Sequence, residues 1–297
     1  MRCLRGERPR PGGAGGGRRA PVIAVTVLAA LLGGCSSPAP APTGTSTSPS
    51  ASAVQQAPTP SAPSPGPKSA SDLRELTRRM NAAARAKRTA QVLFTTGSAT
   101  TMKGAIRYRG NGADVAVTVT DASGKHVKIL VVDSVGYIAP GQKILGKTWV
   151  KISRTGKDPL SKANSQAMTT LSRSLDVSSQ LAKARDAKIE SSSPAELDGV
   201  RMTRYIVTLS ERDFLDQLTS VTLTPAQRRQ IAAQFNGARG RSVLYVDDGD
   251  LLRRVESTMV GGKAPVSAGV VTYSHWGEPV EISAPPASDT VDASVLG

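Results

Sequence analysis

Groups able to do covalent or metal chemistry are scarce in this chain of 297 residues, which holds two His and two Cys. His126 and His275 stand about 150 residues apart, each in or beside a predicted strand. Neither has Cys, Asp or Glu partners at a metal-ligand spacing. Ser274 precedes His275, but neighbours on a strand point to opposite faces, so the two are not expected to act as a pair. The mature domain carries no G-x-S-x-G elbow, no S-x-x-K pattern and no Gly-rich loop joining a strand to a helix. Asp247, Asp248 and Asp250 could in principle hold calcium, yet a hairpin turn accounts for them. These residues predict no enzyme, no cofactor and no metal.

Cys35 is the one residue with a chemical assignment. Arg2, Arg5, Arg8, Arg10, Arg18 and Arg19 make the start basic, and the apolar run from Pro21 to Leu32 that follows is too short to span a bilayer. It ends in Leu32-Gly33-Gly34-Cys35, a bacterial lipobox, so residues 1–34 are expected to be removed and Cys35 to be acylated. Cys3 leaves with the leader. The mature chain then keeps a single, lipid-blocked Cys, which excludes disulfides and thiol chemistry. Arg18-Arg19 leaves export by the general or the twin-arginine route open.

Residues 35–70 read as a tether. Between 36 and 69 there are nine Pro, and 30 of the 34 positions are Ser, Pro, Ala, Thr or Gly. No core can form from such a composition, and the Pro spacing favours polyproline II. Such a segment reaches at most roughly 110 Å extended, or about 30 to 35 Å as a coil. All ten aromatic residues fall between Phe94 and Trp276, so residues 71–286 are expected to form one domain and 287–297 a flexible tail. Of the formal charge of +15, about +10 remains once the leader is gone. Because the basic residues are dispersed and lack interleaved aromatics, nucleic acid is not an expected partner and anionic phospholipid or wall polymer is. High Ala, Arg and Gly usage points to a GC-rich actinobacterium.

The elements follow from periodicity. Asp72 with Glu75 resembles a capping box, after which Leu73, Leu76, Met80 and Ala84 share a helix face beside a stripe of Arg74, Arg78 and Arg85. Period-two runs predict strands at 91–96, 104–108, 114–120, 127–133, 136–138 and 148–152. Met168, Leu171 and Leu175 repeat at helical spacing, as do Phe214, Leu218 and Val221. Thr224, Pro225 and Gln227 open a further helix bearing Ile231 and Phe235 and closing at Gly237. Strands are predicted at 200–209, after the turn Asp198-Gly199, and at 242–247, 252–259, 269–275 and 280–282, with Asp248-Gly249 turning the first pair of these last four. Ten or eleven antiparallel strands with inserted helices make an α+β fold, in which a one-sided sheet must curl and cover its apolar face.

The stretch Tyr273-Ser274-His275-Trp276-Gly277-Glu278-Pro279-Val280-Glu281-Ile282-Ser283-Ala284-Pro285 resembles the closing strand pair of the LppX/LprG-type actinobacterial lipoproteins, which belong with the LolA-like lipid carriers. Thr89, Tyr137, Trp149, Asp198-Gly199-Val200 with Tyr205, and Val246-Asp247 with Gly249 and Arg254 occur in matching order. The resemblance covers about Leu73 to Pro285. It implies a curved antiparallel half-barrel with helices on its concave side, enclosing a cavity for the acyl chains of a lipid or glycolipid, in a monomer at the extracytoplasmic face of the cell membrane. A membrane protein is a further expected partner. Val117, Val119, Ile129 and Val131 on strands, with Met168, Leu171, Phe214, Leu218, Ile231 and Phe235 on helices, are the residues expected to line that cavity or, if it is filled, to form a closed core. An envelope sensor or protein-interaction module of the same fold is the second expectation.

Overall fold

The computed structural model describes residues 70, 72–96, 100–110, 112–210, 212–213, 239–261 and 269–296. The expected leader, the expected tether up to residue 69, and the helices predicted around Phe214 and from Thr224 lie outside these residues. Helix α1 (Leu73–Lys87) buries Leu73, Leu76, Thr77, Met80 and Ala84 on one face. Asp72 caps it by accepting from the Arg74 N–H at 3.1 Å. Glu75 does not complete a capping box; its carboxylate pairs with Arg78 at 2.7 Å.

Six strands follow: β1 (Thr89–Thr96), β2 (Thr101–Arg109), β3 (Gly112–Thr120), β4 (His126–Val132), β5 (Val135–Ala139) and β6 (Trp149–Ile152). Helices α2 (Pro159–Ser174) and α3 (Val177–Leu181) lead to β7 (Lys188–Leu197), β8 (Val200–Leu209), β9 (Arg239–Asp247), β10 (Leu252–Val260), β11 (Gly269–Ser274) and the short β12 (Thr290–Asp292). Among the described residues all twelve strands form one curved, open sheet in the order β12-β6-β5-β4-β3-β2-β1-β11-β10-β9-β8-β7. Two meanders therefore meet where β1 pairs with β11, and every pairing is antiparallel except β12 with β6.

The curl leaves a mark in the sequence. Gly104 on β2 faces Val117 on β3, and a Cβ placed on Gly104 would stand 2.0 Å from the Ala116 carbonyl oxygen and 2.7 Å from Val117 Cα. Only a residue without a side chain lets the two backbones approach this closely.

The structure departs from the sequence reading at three places. Residues 280–282 are not a strand, although Ile282 is buried at 3% exposure; the segment crosses the outer side of β2, where Arg107 Nη2 donates to the Ile282 carbonyl at 2.8 Å. β7 was not predicted, because its Ser run and Pro194 give no apolar alternation and its side chains are mostly exposed. It is an edge strand, held by its ladder to β8 and tolerant of proline. The two-residue turn Asp198-Gly199, with φ of +52° and +75°, needed such a partner strand on its other side.

The third concerns the tail. Thr290, Val291 and Asp292 pair with Trp149, Val150 and Lys151, Asp289 accepts from the Thr148 N–H at 3.0 Å, and Ala293 is fully buried. A chain ending at Pro286 loses this edge strand. Burial of a valine is worth about 1.5 to 3 kcal/mol, so the truncated chain is expected to be less stable by about 2 kcal/mol or more. Urea unfolding of both lengths checks this, and equal midpoints would restore the dispensable tail.

Candidate functional site

The inner face of the sheet is set by alternation. In β3, Val115, Val117 and Val119 are buried at 0, 4 and 8% exposure, while Ala116, Thr118 and Thr120 between them are less so. Val117 faces Ile129 and Val115 faces Val131 across the β3–β4 ladder. Ile129 and Val131 are exposed by 4 and 5%, and Met168 and Leu171 of α2 by 7 and 3%. Six predicted site residues thus meet in one apolar cluster. Phe214, Leu218, Ile231 and Phe235 lie outside the described residues. The same cluster takes in Ile106, Ile138, Val150, Val207, Leu244 and Val255, which alternation within their strands would have revealed. Leu76 and Met80 of α1 join it too, readable from their helical spacing.

Helix α2 is fastened over this face. Asp158 caps it, accepting from the Ser161 N–H at 2.7 Å, and that hydrogen bond holds the Asp158 carboxyl below the usual range. Ser172 Oγ donates to the Ala113 carbonyl of β3 at 2.8 Å. At the C-terminal end the Tyr273 hydroxyl of β11 donates to the Leu175 carbonyl at 2.9 Å. In between, a Cβ on Gly136 of β5 would fall 2.7 Å from Met168 Cγ, so helix and strand touch without intervening space. The hydroxyls of Ser178 and Ser179 on α3 lie 2.9 and 3.1 Å from Asn81 Oδ1 of α1, joining the helices to one another.

An aromatic stack closes one side. The rings of Tyr273 and Trp276 are 5.8 Å apart, and those of Trp276 and Tyr108 are 5.9 Å apart at 14°. Trp276 Nε1 donates to the Leu252 carbonyl at 3.2 Å. Burial drives the hydroxyls of Tyr108 and Tyr273 well above the ordinary tyrosine range, so neither is an acid or base near neutrality.

On the outer side the main polar feature is Asp114, 2% exposed. It accepts from Arg107 Nη2 at 2.8 Å, from the Asp133 N–H at 3.0 Å, and from Arg109 Nε. Burial opposes its ionisation, but the bonds from Arg107, Asp133 and Arg109 outweigh that and hold its carboxyl below the usual range.

The histidines gain no machinery. His126 Nδ1 lies 2.9 Å from Thr120 Oγ1 in an exposed position. His275 and Ser274 do touch, at 2.9 Å. The opposite-faces argument fails there because β11 ends at Ser274 and His275 turns out with a φ of +53°. The pair is exposed and has no carboxylate hydrogen-bonded behind it among the described residues. The Asp247 carboxylate is occupied by the hairpin, accepting from the N–H groups of Gly249 and Leu251, both at 2.9 Å, and from Arg253 Nε at 2.7 Å. Among the described residues no three His, Cys, Asp or Glu side chains could hold a metal ion, and no helix is long and apolar enough to cross a membrane.

Neither the models of protein families nor the curated proteins give a match to this sequence. Solved structures do. The chain is similar to the lipoprotein LppX of Mycobacterium tuberculosis, with 15% identity and a TM-score of 0.43 over 71% of this chain and 98% of that one. MucB, solved in complex with MucA(peri), is similar over 73% of this chain and 58% of its own length, with 15% identity and a TM-score of 0.32. A redesigned β barrel, mFAP1, bound to DFHBI, follows at 9% identity and a TM-score of 0.17.

Proposed function

We propose that this chain is an extracytoplasmic lipoprotein, anchored through acylated Cys35, that binds an acyl-chain lipid or glycolipid between its curved sheet and its helices and presents or transfers it. The observation that carries this reading is the continuity of the apolar inner face, from Val150 on β6 through Val117 on β3 and Val271 on β11 to Val207 on β8, all under 10% exposed. Burying a 16-carbon chain gains on the order of 13 kcal/mol gross at about 0.8 kcal/mol per CH₂. Release into water would then be slow, and a carrier must hand its load to a membrane or a partner. The lipobox and the tether would keep it near both.

The seating of Met168 against Gly136 favours a second reading, in which the core is filled and the domain is an envelope sensor or protein-interaction module. The full chain bearing Cys35→Ala, extracted with organic solvent and analysed by mass spectrometry, separates them. Stoichiometric lipid is expected. Folded protein free of lipid would decide for the second reading. In cells, Cys35→Ala is expected to move the protein from membrane to medium or to leave an uncleaved precursor, since the two acyl chains of a modified Cys suffice for stable attachment. A mutant that fractionates and matures like wild type would remove the anchor.

A further inference from the structure

Where the end of α1 meets β1 and β2, a recess of about 580 Å³ is lined by Arg85, Arg88, Thr89, Arg107, Tyr108 and Arg109. Four arginines border it. Two carboxylates answer them: Asp114, shared by Arg107 and Arg109, and Asp133, 3.4 Å from Arg109 Nη1. Arg85 Nη1 donates to the carbonyls of Arg109 and Gly110 at 2.7 and 2.6 Å, which orients its charge without neutralising it. Arg88 has no side-chain hydrogen bond or ion pair among the described residues and is exposed.

The backbone at Arg88 makes its side chain informative. Arg88 caps α1 with φ +69° and ψ −31°, locked by its N–H on the Ala84 carbonyl at 2.9 Å and by the Tyr108 N–H on its own carbonyl at 2.7 Å. Glycine is the residue that adopts positive φ without strain. An arginine there costs stability and does nothing for the turn, and strain of this kind collects at functional positions.

We propose that this recess binds a phosphate ester group, with Arg88 as the guanidinium that the fold leaves open for it. Arginine suits the ligand because its planar fork pairs two donors with two phosphate oxygens. The site stands apart from the acyl-chain reading, since it uses the rim of the fold and not the apolar cluster.

The test uses the full chain with Cys35→Ala, so that no acyl anchor contributes. Inorganic phosphate is titrated against the thermal midpoint, and sedimentation is measured with phosphatidylcholine vesicles with and without phosphatidylglycerol. A midpoint raised by phosphate alone assigns the site to a free phosphate; sedimentation only with phosphatidylglycerol vesicles, competed by phosphate, assigns it to a lipid head group. In either case Arg88→Gly is expected to weaken binding about fivefold, the loss of one surface cation, while its thermal midpoint stays level or rises because the strain is gone. Arg88→Lys should retain part of the binding. The proposal is overturned if neither probe binds, if Arg88→Gly binds like wild type, or if Arg78→Gln, two helical turns from Arg85 on the same stripe and outside the recess, weakens binding as much.

Discussion

Gly104→Val is expected to abolish the native fold, or to cost about 4 kcal/mol or more where the chain still folds, the range reached when backbone is forced apart. The added Cβ would meet the Ala116 carbonyl at 2.0 Å, and backbone, unlike the end of a flexible side chain, cannot swing aside. β2 and β3 would have to part in the middle of the first meander, taking with them the pairings of Ile106 with Val115 and of Met102 with Val119. Circular dichroism and urea unfolding of the purified variant check this. Gly110→Val makes the control, because a Cβ there meets nothing within 4 Å. If Gly104→Val unfolds at the wild-type midpoint, the close strand approach that defines the curl is wrong.

The second large effect belongs to Asp114. Asp114→Ala leaves Arg107, Arg109 and the Asp133 N–H without their shared acceptor and is expected to cost about 2 to 3 kcal/mol, below the value for a fully buried pair because both arginines reach water. Its pH dependence has a definite sign. The folded carboxyl ionises at lower pH than the unfolded one, so the network contributes its full stability above the unfolded pKa of about 3.9 and loses it as the pH falls through the folded value. Wild-type stability measured from pH 6 down to the acid limit should therefore drop more steeply than that of Asp114→Asn, whose side chain does not titrate. Parallel curves would show that Asp114 is not the acid-sensitive member of the fold. Arg107 also holds the Ile282 carbonyl, so the Asp114 variants should loosen the crossing segment that delivers β12 to β6, visible as faster hydrogen exchange in residues 280–292.

The two predictions bear on function through the same geometry. Gly104 permits the curl that turns an apolar sheet face into an enclosed one, and Asp114 ties the outer side of that curl together. A variant that keeps the fold but relaxes the curl should change lipid retention before it changes any surface property, which gives the acyl-chain reading a structural handle independent of the residues lining the core.

Much of this molecule was legible locally. The alternation of Val115, Val117 and Val119 against Ala116, Thr118 and Thr120 marks a half-buried strand, because side chains on a pleated ribbon alternate faces whatever packs on them. Asp158 before Pro159 and Asp72 before Leu73 mark helix starts, since capping needs only a side chain and the first-turn N–H groups. Six of the predicted site residues converge because one periodic face must be buried somewhere. The expectation that Cys35 is processed and acylated rests on the pattern Leu32-Gly33-Gly34-Cys35 alone. What local pattern could not decide was pairing. β7 has no apolar face, so its existence depends on β8 presenting an unpaired row of N–H and C=O groups. β12 is three residues long, too short for any period, and is defined only by its parallel pairing with β6. The meeting of β1 with β11, the approach of β3 to Gly104 and the gathering of Arg85, Arg88, Arg107 and Arg109 around one recess all join residues distant in the chain. Their energies come from contacts that exist only after the sheet has curled, which is why tertiary structure alone could supply them.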